Sequence, residues 1–247
     1  MPLSLVVVCE APADRQTGCD LADRVFCHEV SWIEEEILPH LREWRGFDPR
    51  DPCSLWKDVP DLAKARALRA HGHFDGEPGA LQAALARKAL WLVFSVDPRP
   101  DGIVLLRDDD GKPEVRKGFA QARNAAKIRI PIVIGVASTK RECWVLAGFE
   151  PKNEHENTRL SELRKELGFD ARERAESLTA GHETDKRSAK RVLKELTRGD
   201  WQREAECWKK TDLRLLADRG KCSGLRDYLK EVQERLVPLF VGHVPPS

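Results

Sequence analysis

Three acidic side chains stand out for where they fall in the chain. Glu10 follows an apolar run at residues 3–8, and Asp108 and Asp110 follow a second run at residues 102–106. In a parallel sheet the carboxyl ends of the strands share one rim, so acids that end two strands converge there. Residues two apart on an extended segment point to the same side, which directs the carboxylates of Asp108 and Asp110 one way. Hard Mg²⁺ takes one or two such oxygens and fills its shell with water and phosphate oxygens. The chemistry expected of such a cluster is metal-assisted phosphoryl or phosphodiester transfer. Taken alone, Asp108-Asp109-Asp110-Gly111 reads better as an ordinary polar turn, because Asp and Gly are common turn residues.

The elements that must position these acids read as an α/β chain. Residues 3–8 are a nearly continuous apolar run of the kind buried on both faces of a sheet, and residues 102–106 (GIVLL) make a second core strand. Residues 114–127 have helical patterning with Phe119 and Ala122 inward, and residues 130–137 (IPIVIGVA) make a third strand, which together predict a parallel βαβ unit. Between the first two strands, residues 20–44 read as one or two amphipathic helices broken near Pro39. Residues 45–80, rich in Pro and Gly around a short helical stretch at 61–70, read as an irregular insertion. Helical patterning resumes at 81–89, and residues 89–96 suit a helix end or a short strand. A short helix is expected at 139–147. Three polar helical candidates follow, at 158–167, 186–196 and 213–237, the last broken at 220–224. The division expected is an α/β domain over residues 1–150 and a helical C-terminal extension over 151–247.

A strand-terminal Glu followed by a strand-terminal DxD resembles the TOPRIM family, the catalytic domain of topoisomerases, primases and OLD-type nucleases. Here VVVCE supplies Glu10, and VLLRDDD supplies Asp108 and Asp110. Residues 133–149 (VIGVASTKRECWVLAGF) also resemble TOPRIM-like domains of unknown function, in which a third strand leads to a helix bearing an acid beside an aromatic. The resemblance implies a TOPRIM-like, mostly parallel sheet flanked by helices, and adds Glu142 as a fourth ligand for Mg²⁺ or Mn²⁺. Without it, Glu142 is a helix N-terminal acid favourable to the dipole.

Other residues carry weaker signals. Lys186 opens a basic helix with Arg187, Lys190, Arg191 and Lys194, a face able to grip phosphates or neutralise a leaving group, although Glu183, Asp185 and Glu195 dilute it toward a solvated surface. Lys112, Arg116, Lys117 and Arg123 fall in the helix after the DxD, within reach of a bound backbone. His71 and His73 lack the distant third ligand a zinc site needs, and His182 precedes the basic helix. Neither GxxxxGK[ST], GxGxxG nor GxSxG occurs, so neither ATP hydrolysis by the chain itself nor a hydrolase elbow is expected.

Composition sets the frame. The 42 basic and 41 acidic side chains of the 247 residues nearly cancel, so any nucleic-acid partner must be held by a local patch. Seven scattered cysteines without a CxxC pair indicate reduced thiols and a cytoplasmic chain, and the short apolar start, closed by an acid, is neither a signal peptide nor a membrane span. The function expected is an Mg-dependent nuclease acting on DNA or RNA, as the effector of a bacterial defence system. The alternative is a regulatory TOPRIM-like subunit that has lost a working site and binds an ABC-type or OLD-type ATPase, a reading favoured by Ala11-Pro12 where the family has Gly. A different phosphotransfer enzyme on a doubly wound sheet is a third option, weakened by the lack of a nucleophile motif.

Overall fold

A computed structural model describes residues 1–70 and 72–241. The chain forms two compact units, one of residues 1–107, 112–136 and 230–247, the other of residues 108–111 and 137–229. The architecture is α/β, with a mostly parallel sheet flanked by helices and a helical C-terminal region.

In the first unit, β1 (Leu3–Cys9) is buried along almost its whole length. Against it, in parallel, lie β2 (Arg42–Arg45) and the two-residue β3 (Ser54–Leu55). These two continue one edge, β2 opposite Leu3 to Val6 and β3 opposite Val8 and Cys9. On the other side β6 (Gly102–Asp108) pairs in parallel with β1, Val8 level with Leu105, and β7 (Ile132–Ala137) completes the order β2-β1-β6-β7. A separate hairpin joins β4 (His73–Phe74) to β5 (Glu77–Pro78).

The helices of this unit follow from caps and apolar spacing. α1 (Pro12–Glu29) starts on Pro12, whose missing N–H costs nothing in a first turn, and the Asp14 carboxylate accepts from the Ala11 N–H at 2.8 Å. Leu21, Ala22, Val25 and Phe26 recur at helical spacing and are buried. The α1 helix thus begins earlier and ends sooner than residues 20–44 suggested. Only α2 (Leu38–Leu41) follows before the chain turns into β2.

The region 45–80 contains β3, α3 (Val59–Ala65) and the β4–β5 hairpin, so part of the expected insertion completes the sheet edge. α4 (Ala83–Phe94) resolves the ambiguity at 89–96 in favour of helix. α5 (Glu114–Ala126) buries Phe119 and Ala122, and Phe119 packs on Trp56 with ring centroids 5.0 Å apart. His71 lies outside the described residues.

The second unit is helical: α6 (Arg141–Ala147), α7 (Glu154–Leu167), α8 (Ala189–Thr197), α9 (Trp201–Lys210) and α10 (Leu213–Arg219), with a 3-10 turn at Ala175–Ser177. Asn153, Ser188, Asp200 and Asp212 each accept backbone N–H groups at a helix start, as residues of those types do. Trp208 and Tyr228 are fully buried, and Tyr228 stacks on Trp144 at 5.0 Å. α9 was not expected from the sequence. α11 (Leu225–Arg235) and α12 (Val237–Val241) end the described chain. No described helix is long and apolar enough to cross a membrane.

Candidate carboxylate site at the strand ends

In the first unit, Glu10 directly follows β1, and the β1–β6 register carried forward sets it level with Arg107. The two form an ion pair, Arg107 Nε to Glu10 Oε1, at 3.4 Å. The Arg107 guanidinium also lies over the Trp56 ring, 5.7 Å from its centroid, and the Trp56 indole donates to the Leu106 carbonyl at 2.7 Å. Trp56 therefore holds the end of β6 and the cation beside Glu10 together. Ala11 and Pro12 have a local structural role in the capped start of α1.

In the second unit the three aspartates divide by direction. Asp109 is buried and turns to the backbone, accepting from the Gly111 N–H at 2.8 Å and the Ser138 hydroxyl at 2.5 Å. Asp108 and Asp110 both meet residues 140–141. The Arg141 N–H donates to Asp108 Oδ1 at 2.8 Å, and the Lys140 ammonium donates to Asp110 Oδ1 at 2.7 Å. Asp110 adopts φ 48° in the turn rather than the extended conformation assumed from the sequence, so its approach to Lys140 comes from the turn and not from strand alternation.

Glu142 joins the same neighbourhood from α6. Its Oε1 lies 3.6 Å from the Arg141 guanidinium, which is equally 3.6 Å from Glu204 and stacks over Trp201 at 5.5 Å. Burial of Glu204 pushes its carboxyl above the usual range, against the pull of Arg141. Burial also works against the charge on Lys140, but the hydrogen bond to Asp110 and the charges of Asp110, Asp108 and Glu142 outweigh it and lift its pKa. Asp108, Asp110 and Glu142, three of the predicted ligands, thus all engage the Lys140–Arg141 segment: Asp110 the Lys140 ammonium, Asp108 the Arg141 N–H and Glu142 the Arg141 guanidinium.

Lys186 makes its contacts elsewhere. It is exposed in the turn before α8, and its carbonyl accepts from Arg191 at 3.1 Å. The basic face it opens is laced with acids: Arg191 pairs with Glu166 at 2.9 Å and Glu195 at 3.2 Å, and Lys190 with Glu183 at 3.3 Å. His182 is exposed in the same turn. In the first unit, Arg116 donates to the Val136 carbonyl at 2.9 Å, and Arg123 to the Ile132 carbonyl and to Glu231. Both guanidinium groups hold β7, and Arg123 also ties it to Glu231 of the C-terminal segment.

Sequence reasoning missed Lys140 and Arg107. Lys140 stands two residues before Glu142 in STKRE, and Arg107 precedes the DxD, so both were visible as basic neighbours of the predicted acids. Only their tertiary partners reveal what they do.

Among the described residues, no group of three or more His, Cys, Asp or Glu side chains is arranged to hold a metal ion. Asp108, Asp110 and Glu142 offer hard carboxylate oxygens, but each is engaged with the Lys140–Arg141 segment. The described conformation is that of ion pairs to Lys140 and Arg141. No protein-family model, curated protein or solved structure matches the chain.

Proposed function

We propose that this chain is a Mg²⁺- or Mn²⁺-dependent nuclease that hydrolyses phosphodiester bonds of DNA or RNA, acting in the cytoplasm as the effector of a defence system. The observation that carries the reading is that Asp108, Asp110 and Glu142 all engage the two residues Lys140 and Arg141 at the start of α6. Asp108 and Asp110 would hold the metal, with Glu142 beside them. Glu10, at the end of the adjacent parallel strand, is the acid that the TOPRIM resemblance assigns as ligand or general base. When bound, the metal supplies charge for the phosphate and lowers the pKa of its water.

The chain's own residues have separate tasks. The Asp109 side chain, tied to Ser138 and Gly111, fixes the turn that carries its two neighbours. The Arg141 N–H orients Asp108, and the ion pair with Arg107 orients Glu10. Lys140 keeps like-charged carboxylates together and is a cation able to pair with a phosphate oxygen, a role the sequence suggested for Lys186.

The test is hydrolysis of single- and double-stranded DNA and RNA by the purified chain with Mg²⁺, with Mn²⁺ and with chelator. Metal-dependent cleavage that is abolished in Asp108→Asn and in Asp110→Asn, with the fold retained, is expected. Cleavage unchanged in both variants excludes the site.

A second reading is the regulatory subunit that binds an ABC-type or OLD-type ATPase. It is favoured by the pairing of Glu10 with Arg107, Asp110 with Lys140 and Glu142 with Arg141, which neutralises the acids from within. On that reading no metal produces cleavage, and the chain binds a purified ATPase in a calorimetric titration.

A further inference from the structure

Two recesses of different chemistry share a wall in the first unit, where α3 gives way to the turn at 66–70. The Arg66 N–H donates to the Leu62 carbonyl at 3.3 Å, and the Leu68 N–H reaches back to the Ala63 carbonyl at 2.8 Å across Ala67 at φ 54°. This closure ends α3 and brings Leu68 and Arg69 to α4. On one side of residues 67–69 is a cavity of about 750 Å³ lined by Asp61, Lys64, Arg69 and Lys88. On the other is an open cleft of about 590 Å³ bordered by Leu68, Trp91 and Phe94. Each volume falls in the range of small-molecule sites, roughly 300–1,000 Å³.

The cations of the cavity are not spent on the fold. Among the described residues, Lys64, Arg69 and Lys88 make no ion pair and no side-chain hydrogen bond, unlike Lys190 and Arg191 of α8, which are paired with acids. Three cations against the one acid, Asp61, leave a charge of +2. A phosphate monoester, which carries about −1.5 to −2 near neutral pH, balances it. The cleft supplies a different surface. Lys88 and Trp91 stand three apart on α4 and so share a helix face. The Arg87 guanidinium lies over the Trp91 ring, 4.9 Å from its centroid, and over the buried Phe74 ring at 5.1 Å, which holds the indole against the fold. The Trp91 indole N–H donates to no described residue, so the half-buried ring offers both aromatic surface and a donor beside the cations.

We propose that this double recess binds a nucleoside monophosphate, its phosphate among Lys64, Arg69 and Lys88 and its base on Trp91 and Phe94. A ligand that fills both sides of the wall at 67–69 needs a dianion at one end and a planar, largely apolar group at the other. A nucleoside monophosphate has these two ends, joined through the sugar. The ammonium groups of Lys64 and Lys88 and the guanidinium of Arg69 are donors to phosphate oxygens, and such charge-assisted bonds are stronger than neutral ones. Stacking of a base on an aromatic side chain tightens binding by about fivefold to a hundredfold. The free Trp91 indole N–H is a donor for a ring nitrogen or carbonyl on the edge of the base. This inference does not rest on phosphodiester hydrolysis.

The test is a calorimetric titration of the full chain, with chelator present, using AMP, GMP, CMP and UMP beside the free nucleosides, inorganic phosphate and phenyl phosphate. The tightest of the four nucleotides should bind at least about tenfold more tightly than its nucleoside, than phosphate and than phenyl phosphate, the equivalent of one hydrogen bond to a charged group. Combining Lys64→Gln with Lys88→Gln, two side chains with no partner to lose, should weaken that nucleotide by about tenfold or more and leave its nucleoside unaffected. Trp91→Leu should weaken the nucleotide and leave inorganic phosphate unaffected. A nucleotide that binds no tighter than inorganic phosphate overturns the proposal, because no base site then exists. Phenyl phosphate binding as tightly as the nucleotide overturns it too, since the cleft then takes any aromatic phosphate, a phosphotyrosine side chain included. Both comparisons use the wild-type chain, so they decide the matter even if a variant fails to fold.

Discussion

Lys140 is the residue on which the two functional readings separate. Its ammonium donates to Asp110 at 2.7 Å and is stabilised by the charges of Asp108 and Glu142. Replacing it with a neutral side chain of similar length removes one positive charge from among three negative ones, which strengthens the attraction of those carboxylates for a divalent ion. Lys140→Met should therefore bind Mn²⁺ several-fold more tightly than wild type in isothermal calorimetry. Unchanged or weaker binding would mean that Asp108, Asp110 and Glu142 do not form the metal's shell. At this scale the sequence was informative about the acids and silent about their partners. The Lys140–Arg141 segment receives both Asp108 and Asp110, but through a turn at Asp110 that the two-residue spacing did not reveal. That Asp109 turns inward to Ser138, and that a lysine stands among the acids, depends on a turn and on residues about 30 positions away in the chain.

At the scale of elements, apolar runs were legible and charged strands were not. β1, β6 and β7 are almost wholly buried, and such strands leave continuous hydrophobic stretches in the sequence. β2 leaves none, because Arg42-Glu43-Trp44-Arg45 satisfies its charges within the fold. Arg42 and the Trp44 indole donate to Asp23 at 2.8 and 3.0 Å, and buried Arg45 donates to the Ser4 hydroxyl at 2.5 Å and the Pro98 carbonyl at 2.7 Å. A charged sequence becomes a sheet edge through partners that no local pattern reveals. The packing of α5 makes a sharper demand. Gly118 lies so close to residues 81–83 that an added Cβ would fall 2.1 Å from the Leu81 carbonyl oxygen, a backbone atom. Gly118→Ala gains helix propensity of about 1 kcal/mol, but it must push α5 away from that backbone at a cost of about 1–3 kcal/mol or more. A net loss of stability is expected in urea denaturation; a stabilised variant would mean that α5 packs less closely on this segment.

For the whole molecule, each unit is closed by residues far apart in sequence. In the first, Phe240 near the end of the described chain packs on Phe26 of α1 with centroids 4.6 Å apart, and a Cβ on Gly102 would meet both Leu5 and Leu236 within 2.9 Å. In the second, Glu156 at the start of α7 and Arg203 on α9 form a buried pair, two guanidinium nitrogens each 2.9 Å from a carboxylate oxygen, with side chains only 8% and 9% exposed. Arg203 also donates to the Glu150 carbonyl at 2.6 Å and stacks on Phe149 at 4.6 Å. The hydrogen bonds from Arg203, against the opposing effect of burial, hold the Glu156 carboxyl below the usual range. Three further acids are depressed in this unit: Glu206 falls to about 2 between Lys152 and Lys210, Glu166 is lowered by its hydrogen bond from Arg191, and Asp170 falls well below normal because Arg172 and Arg164 overcome its burial. A folded-state pKa below the unfolded one contributes stability that is present above the unfolded value, about 4.3 for Glu, and lost as pH falls through the folded value. Stability should therefore decline as pH falls below about 4.3. Glu156→Gln leaves the Arg203 charge buried without its counter-charge, which typically costs about 3–5 kcal/mol at neutral pH. Because Gln does not titrate, that cost should shrink as the wild-type pair protonates. Denaturant midpoints from about pH 7 down to about pH 3 should thus converge for wild type and Glu156→Gln at the acid end, whereas a constant gap would mean that Glu156 is not the titrating partner.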